Sequence, residues 1–554
     1  MINFSLLMNT TNELKSFRRF FLSTIKSYKL PIFIALIQWY VTILFQVEKF
    51  FTSSPSQPST RLVIHILYLF CLIFFWSFIF FVKREYKNNT PRVKRCLEIF
   101  IFYFSCMLML LLFLWPGTWS WDDIFILDGL TTYQVNAWHH ILGSYIQLLF
   151  IQLLPFPGGI ILIQLFIISL CVSFIVNRIE CNLLDNFRLN NYYLDLVIKT
   201  SVFFLPPILL YQFSGFRMGL YIYLELVVLV TMICSVHEQK LDINKKLGPS
   251  FLILFIFLLV IVSLWRSESF LYLPIGIYFI FTRKHISIVR KILLFSLILL
   301  FSCSIIFIQN KKLGNDNYKL ISTLCPIVEI IRLADDKDKI LLDDLAGVLN
   351  LDTIYGNRDN GTALYWKGKT VKRNYSKEDF HKYMLAFFQL CIRHSDIVFK
   401  ERWDMFIRSL SLYGKTHHTI HASTRKLFSP DNKSRASKIF REAKWPLISP
   451  IYENTRVIIL DMLSLEYNGK PIPFLYQLFW SPLLPIIVLL FSTMLFFLKK
   501  EWFLFFIFLA VALRIPIVIL TEPAPVMMYY LSFYMCGYLL LLYLLLLFLK
   551  KWTS

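Results

Sequence analysis

Twelve apolar runs, most of them close to the length of a bilayer-crossing helix, constrain this chain more than any motif it carries. They fall near 31–47, 62–82, 97–115, 158–177, 195–212, 218–236, 250–265, 270–281, 290–308, 474–497, 502–520 and 527–549. A helix needs about 20 apolar residues to cross a hydrocarbon core about 30 Å thick, and a soluble fold has no interior large enough to hide twelve such segments. A mean hydropathy of +0.60, with 57% hydrophobic and 17% charged residues, belongs to the same class. The expected fold is an all-α polytopic membrane protein with about 12 transmembrane helices.

Charge sets the expected orientation. With twelve spans and both termini cytoplasmic, segments 1–30, 83–95, 178–194, 237–249, 282–290, 498–501 and 550–554 hold 23 Lys and Arg, among them Lys15, Arg18 and Arg19. The short loops on the other side hold four: Lys49, Arg61, Arg217 and Arg266. The segment 140–155 is also apolar, but a thirteenth span would move the lysines at 499, 500, 550 and 551 outside, so it is expected to lie along or dip into the outer surface. Three regions follow: 1–308 with about nine spans and the outer loop 116–157, an extracytoplasmic domain over 309–473, and a last region, 474–554, with about three spans. Residues 309–473 carry 27 Lys and Arg against 19 Asp and Glu, and contain no run long enough to cross a membrane. Ser376 and Asp379 read as a helix cap, with Phe380, Tyr383, Met384, Phe387 and Phe388 following near helical spacing, so this domain is expected to be mainly helical.

The net charge of +22 lies mostly in orienting loops, so no nucleic-acid partner is implied. The ten cysteines form no CxxC pair, and only Cys325 and Cys391 fall well inside 309–473, so neither a disulfide framework nor a zinc site is expected. His417, His418 and His421 lack an acidic companion at metal-site spacing and read best as a solvated helix face, as does the basic stretch 425–444. No cofactor is implied, though a divalent metal is compatible with the acidic groups. Walker, GxSxG and HExxH patterns are absent, which removes the usual forms of ATP hydrolysis, serine esterase and zinc protease.

The chemistry is expected in the first outer loop, WPGTWSWDD over 115–123, because no Lys or Arg occurs from 116 to 157 to neutralise Asp122 and Asp123. Two readings stand open there. Ser120 and Asp123 cap a helix with the tryptophans as an interfacial belt, or a carboxylate held where lipid meets water serves as general base for a hydroxyl acceptor. Other ionisable groups collect at the same depth: Arg217, Arg266 and Glu268 in WRSES (265–269), Glu522 in TEPAP (521–525), and Glu225 and Arg514 about two turns into their helices. Ionisable groups inside spans are costly and by default indicate function. Arginines and acids at phosphate depth suit a lipid-linked phosphate substrate, and His139 and His140 stand at the mouth of the same region.

These pieces resemble the GT-C superfamily of integral membrane glycosyltransferases, particularly bacterial members using polyprenyl-phosphate-linked sugars. PGTWSWDD (116–123) looks like the acidic signature of the first large outer loop, WHHI (138–141) like a His-Pro motif after it with Ile141 in the proline position, and WRSE (265–268) like an Arg/Glu-bearing turn. Segments RHSD (393–396), ERW (401–403) and PVMMYY (525–530) are similar to pieces of such enzymes. The resemblance implies Asp122 as catalytic base with Asp123 assisting, and Arg266 on the donor phosphate. Glu268, Arg217, His139, His140 and Glu522 are the remaining substrate-binding candidates. It also implies a GT-C-like fold in a bacterial plasma membrane, a polyprenyl-phosphate sugar donor and a cell-envelope glycan acceptor. A lipid-linked glycan transporter or flippase, an envelope polysaccharide polymerase and a sugar-modifying transferase are the alternatives.

Overall fold

The computed structural model describes residues 29–51, 57–137, 139–241, 248–283, 286–313, 320–372, 374–411, 445–467 and 470–553. The basic residues Lys15, Arg18 and Arg19, Trp138, the histidines 417, 418 and 421, and the stretch 425–444 lie outside them.

The described chain is almost wholly helical: α1 Lys29–Leu44, α2 Pro58–Lys87, α3 Pro91–Leu114, α4 Trp121–Leu130, α5 Ile141–Leu153, α6 Pro157–Leu183, α7 Tyr192–Thr200, α8 Pro206–Gln212, α9 Arg217–Leu241, α10 Pro249–Trp265, α11 Tyr272–Phe281 and α12 Ile288–Leu313. There follow α13 Ile321–Leu333, α14 Lys339–Ala346, α15 Leu351–Tyr355, α16 Gly361–Trp366, α17 Lys377–Arg393, α18 Ser395–Ser409, α19 Glu453–Ser464, α20 Pro473–Trp480, α21 Leu483–Leu498, α22 Trp502–Thr521 and α23 Leu531–Thr553. A hairpin of two-residue strands, Glu466–Tyr467 against Lys470–Pro471, is the only sheet among the described residues. Proline opens α2, α3, α6, α8, α10 and α20, at the position where the missing N–H costs no helix hydrogen bond.

Eight helices among the described residues are long and apolar enough to cross a membrane: α2, α3, α6, α9, α12, α20 running on into α21, α22 and α23. The segment Tyr192–Phe204 plus Pro206–Gln212 makes a ninth if its 75° bend is counted as one broken span. Helices α1, α5 and α10 and the stretch Ser267–Phe281 are apolar but shorter. Phe70, Leu293, Phe307 and Phe491 each show more than half of their surface. Such apolar faces are stable against lipid and costly against water. The chain is therefore an all-α, multi-pass membrane protein.

Its contacts divide it into two units: one of Met1–Lys312, Ile420–Leu463 and Leu542–Ser554, the other of Leu313–Thr419 and Ser464–Leu541. In the first, α6 packs between α3 and α9, and most of the apolar stretches of α6 and α9 are buried while those of α2 and α12 are not. In the second, Leu324, Ile327, Val328, Leu345, Leu364 and Leu390 close a hydrophobic core over α13 to α17. The Ser376 cap forms, with Ser376 Oγ accepting from Asp379 N at 3.0 Å and the Asp379 carboxylate accepting from Ser376 N at 2.9 Å. Arg393 and His394, at the end of the helix so started, both grip the buried Asp338.

At the end of α3 away from Trp115, the first unit buries a charge network. Glu180 of α6 accepts from Arg95 at 3.0 Å, Lys199 at 2.9 Å and Arg188 at 3.1 Å, while Asp195 pairs with Lys199 at 2.8 Å and with Arg95. Arg95, Glu180, Asp195 and Lys199 are all at most 2% exposed. Removing one partner from such a network strands the others without water to solvate them. Glu180→Gln is expected to lower stability by about 3–5 kcal/mol, read by unfolding in detergent. A change below about 1 kcal/mol would show that the network contributes little to holding α3, α6 and α7 together.

Candidate functional site

Three helix breaks of the first unit meet around residues 115–123, 131–140 and 213–216, and side chains from neighbouring helices hold each of them. Thr118 N donates to Phe213 O at 2.7 Å and Thr118 Oγ1 to Leu210 O at 3.0 Å. Gln164 Nε2 reaches Gln212 O and Ser214 O at 2.8 and 2.7 Å, and Gln147 Nε2 reaches Gly215 O at 2.6 Å. Arg456 of α19 donates to Gly117 O at 2.9 Å. Gly117 has φ +106°, and a Cβ there would stand 2.7 Å from Phe213 O, so no other residue fits this crossing without displacing it.

That junction aims α4 and its two carboxylates. Ser120 Oγ accepts from Asp123 N at 3.3 Å, and Asp123 Oδ2 accepts from Ser120 N and Ser214 Oγ, both at 3.0 Å, forming a capping box with a third anchor. Asp123 is fully buried, and its Oδ1 has no hydrogen-bond partner among the described residues. Burial, helped by the charge of Asp122, pushes its carboxyl up to about 7 against the pull of Ser120 and Ser214. Asp122 is different. Its side chain is 28% exposed, and its Oδ2 lies 3.5 Å from Nε2 of His139.

His139 is buried, sits edge-on to Phe216 with centroids 5.7 Å apart, and is held below the ordinary imidazole range by burial, so it is neutral at pH 7. His140 adopts φ 70° at the start of α5, and burial with the nearby Arg217 charge brings it to about 4. The turn carrying both is clamped by Gln309 of α12, which accepts from Ile141 N at 2.9 Å and donates to Ala137 O at 2.8 Å. On the other side Ser144 Oγ accepts from Asn136 N at 3.0 Å.

Arg217, at the start of α9, donates to His139 O at 3.0 Å and lines a small, partly open pocket together with His139, Ile126, Gln147, Phe216 and Trp265. Ile126 follows Asp122 by one helical turn, so the exposed carboxylate shares the α4 face that borders this pocket. Arg266 is not among the lining residues. It is 5% exposed, pairs through Nε with Glu268, and places Nη1 2.8 Å from the sulfur of Met218. Within the same unit Glu225 accepts from the hydroxyl of Tyr272.

Glu522 and Arg514 belong to the second unit. Glu522, almost fully buried, accepts from Tyr530 OH at 2.9 Å and Ser409 Oγ at 3.4 Å, and burial pushes it up to about 8. Arg402 donates to its backbone oxygen at 2.8 Å and pairs with Glu401. Arg514 lies over the ring of Phe533 at 5.6 Å.

Gln147, Gln164, Gln309, Ser214 and Arg456 were beyond the sequence reading. The available signal was an amide inside or at the end of an apolar run, since a buried carboxamide in a membrane helix requires a partner. Among the described residues no group of three or more His, Cys, Asp or Glu has metal-binding geometry. Comparison with protein-family models, curated proteins and solved structures finds no match for the chain.

The buried Asp123 sets a pH dependence. Its folded pKa, about 7, is above the ordinary value of 3.8, so the folded state holds a proton the unfolded state has released. Its contribution to stability is therefore greatest below about pH 4, falls as pH rises through 7, and stays reduced above. Asp123→Asn keeps the acceptor for Ser120 and Ser214 and removes the ionisation. The difference in Tm between variant and wild type is expected to shift in the variant's favour from pH 5 to pH 8. A difference that stays constant over that range would show that Asp123 does not titrate there.

Proposed function

We propose that the chain is a GT-C-type membrane glycosyltransferase with twelve crossings, counting the bent segment and the shorter apolar stretches α1, α10 and Ser267–Phe281, and with both termini in the cytoplasm of a bacterial cell. It moves a sugar from a polyprenyl-phosphate carrier to a hydroxyl of a cell-envelope glycan at the outer leaflet, and residues of 309–473 engage the acceptor. The observation that carries this reading is the pairing of a water-accessible carboxylate, Asp122, with a buried neutral imidazole, His139, beside a pocket lined by Arg217. A general base needs exposure to its substrate and a fixed orientation, and Asp122 has both where Asp123 has neither a free surface nor a free cap.

In this mechanism Asp122 takes the proton of the acceptor hydroxyl while the acceptor oxygen attacks the anomeric carbon. The bond from that carbon to the phosphate oxygen breaks, the configuration inverts, and the polyprenyl phosphate leaves with its charge neutralised by arginine. Arg217 is the arginine assigned to this task here. Arg266, held by Glu268 in the dry turn behind Trp265, supports the wall of the pocket. His139 positions Asp122.

Two experiments test the reading. With a defined polyprenyl-phosphate sugar in liposomes, Asp122→Asn is expected to cut transfer about 10²–10⁴-fold at unchanged protein level. Arg217→Ala is expected to weaken donor use and Arg217→Lys to restore only part of it, because lysine lacks the guanidinium fork. Turnover near wild type in Asp122→Asn removes the base assignment. Orientation is tested by Lys382→Cys in a chain freed of its ten native cysteines: an impermeant maleimide added to intact cells should label it, and labelling only after lysis reverses the topology.

A further inference from the structure

We propose that residues 445–463 form a collar seated in the lipid interface, with the exposed apolar edge of α19 turned into the acyl-chain border of the leaflet in which α3 ends. The proposal needs neither the glycosyltransferase reading nor a choice of outer side, because the end of α3 alone sets the level.

Contacts with a spanning helix fix the depth of this segment. α3 is apolar over a length that crosses a bilayer, and in its last two turns Leu108, Met109 and Leu112 are exposed, Met109 by 62%, as residues facing lipid are. The next residue, Phe113, meets the ring of Tyr452 with centroids 6.0 Å apart. One turn further along the segment, Arg456 donates from Nη2 to Gly117 O at 2.9 Å and from Nε to Leu114 O at 3.4 Å. Trp115 Nε1 donates to Leu447 O at 2.8 Å, and Trp445 stacks on Phe51 with centroids 6.0 Å apart. All of these residues belong to the first unit. A helical turn rises about 5.4 Å, so Tyr452 and the first half of α19 lie within about one turn of the lipid-facing Leu112. Tryptophan and tyrosine concentrate at that level of a membrane protein.

α19 presents three faces. Arg456, Leu460 and Leu463, at helical spacing, are buried against the unit. Ile458 and Met462, four residues apart, are 59% and 66% exposed and project from the opposite side. Asn454 and Asp461, seven residues apart, place a polar face between the two. A surface helix in water needs two faces, one for the core and one for solvent; a helix lying in an interface needs a third, for lipid. Leu447, Ile451 and Tyr452, just ahead of α19, are each at least half exposed and carry apolar surface back to the point where the segment meets α3. A protein partner would have to reach this edge at a level where lipid already surrounds α3, so lipid is the occupant that is present without recruitment.

The test uses the full chain, freed of its ten native cysteines, in lipid nanodiscs, where both membrane faces are open to water. Single cysteines are introduced by Ile458→Cys and Met462→Cys, with Met109→Cys as the lipid reference and Asn454→Cys as the water reference, and each carries a nitrobenzoxadiazole fluorophore. Emission at 458 and 462 is expected to be lost to phospholipids bearing a doxyl quencher near the top of the acyl chain, as at 109, and to resist iodide in the water. The label at 454 should show the reverse. Iodide quenching at 458 and 462 to the extent seen at 454 puts that edge in water and overturns the proposal. Shielding of both positions from both quenchers overturns it too, because a protein surface, such as a second copy of the chain, then covers the edge. Both substitutions sit on an exposed face, and co-elution of the labelled and unlabelled chains in size exclusion checks that folding is undisturbed.

Discussion

Inside a bilayer an unpaired backbone N–H or C=O costs several kcal/mol, and the architecture of the first unit is organised by that penalty. Its helices satisfy their own backbones wherever they run straight. Wherever one breaks, some other group must supply the missing partner, and the breaks at 115–120, 137–141 and 212–216 are each closed by a side chain from a different helix. Gln164, Gln147, Gln309 and Arg456 do this work through their amides and guanidinium. The result is irregular backbone fixed as firmly as helix, which is the condition for holding a carboxylate in one orientation.

The two adjacent aspartates show how the same constraint separates roles. Asp123 faces inward, where the α4 cap and Ser214 use one oxygen and burial keeps the proton on until about neutral pH. Asp122, one residue earlier and about 100° round the helix, faces the pocket side with His139 and remains accessible. One carboxylate holds the helix start in place, and the other is presented. The capping reading and the base reading of WSWDD are therefore compatible, because they concern different residues of the pair.

The opposite end of the unit solves a different problem with the same economy of partners. Arg95, Lys199 and Arg188 surround Glu180 and Asp195 at the junction of α3, α6 and α7, and buried charges are tolerated because each meets several of the other sign. Helices α6 and α9, fixed between that network and the stapled breaks, form the inner layer, while α2 and α12 turn exposed phenylalanines and leucines outward. The pocket lies where the stapled breaks leave space beside α5.

Much of the fold was legible because membrane helices announce themselves: the apolar runs and the Ser376–Asp379 cap are local facts that lipid or backbone geometry forces. Ser120 and Asp123 were legible as a cap for the same reason. What the sequence could not rank was the ionisable set. Arg217 and Arg266 look alike as arginines at loop ends, yet Glu268, two residues away, ties up Arg266 while Arg217 reaches the pocket. Glu522 stood beside them in the sequence reading, and only the packing of the chain assigned it to the other unit, among Tyr530, Ser409 and Arg402. Which buried amide meets which broken backbone was not legible either, since whether a polar atom is satisfied depends on which distant groups the tertiary structure brings within about 3 Å of it. Local chemistry and the bilayer determined where the helices are; long-range packing decided which of their polar atoms remain available.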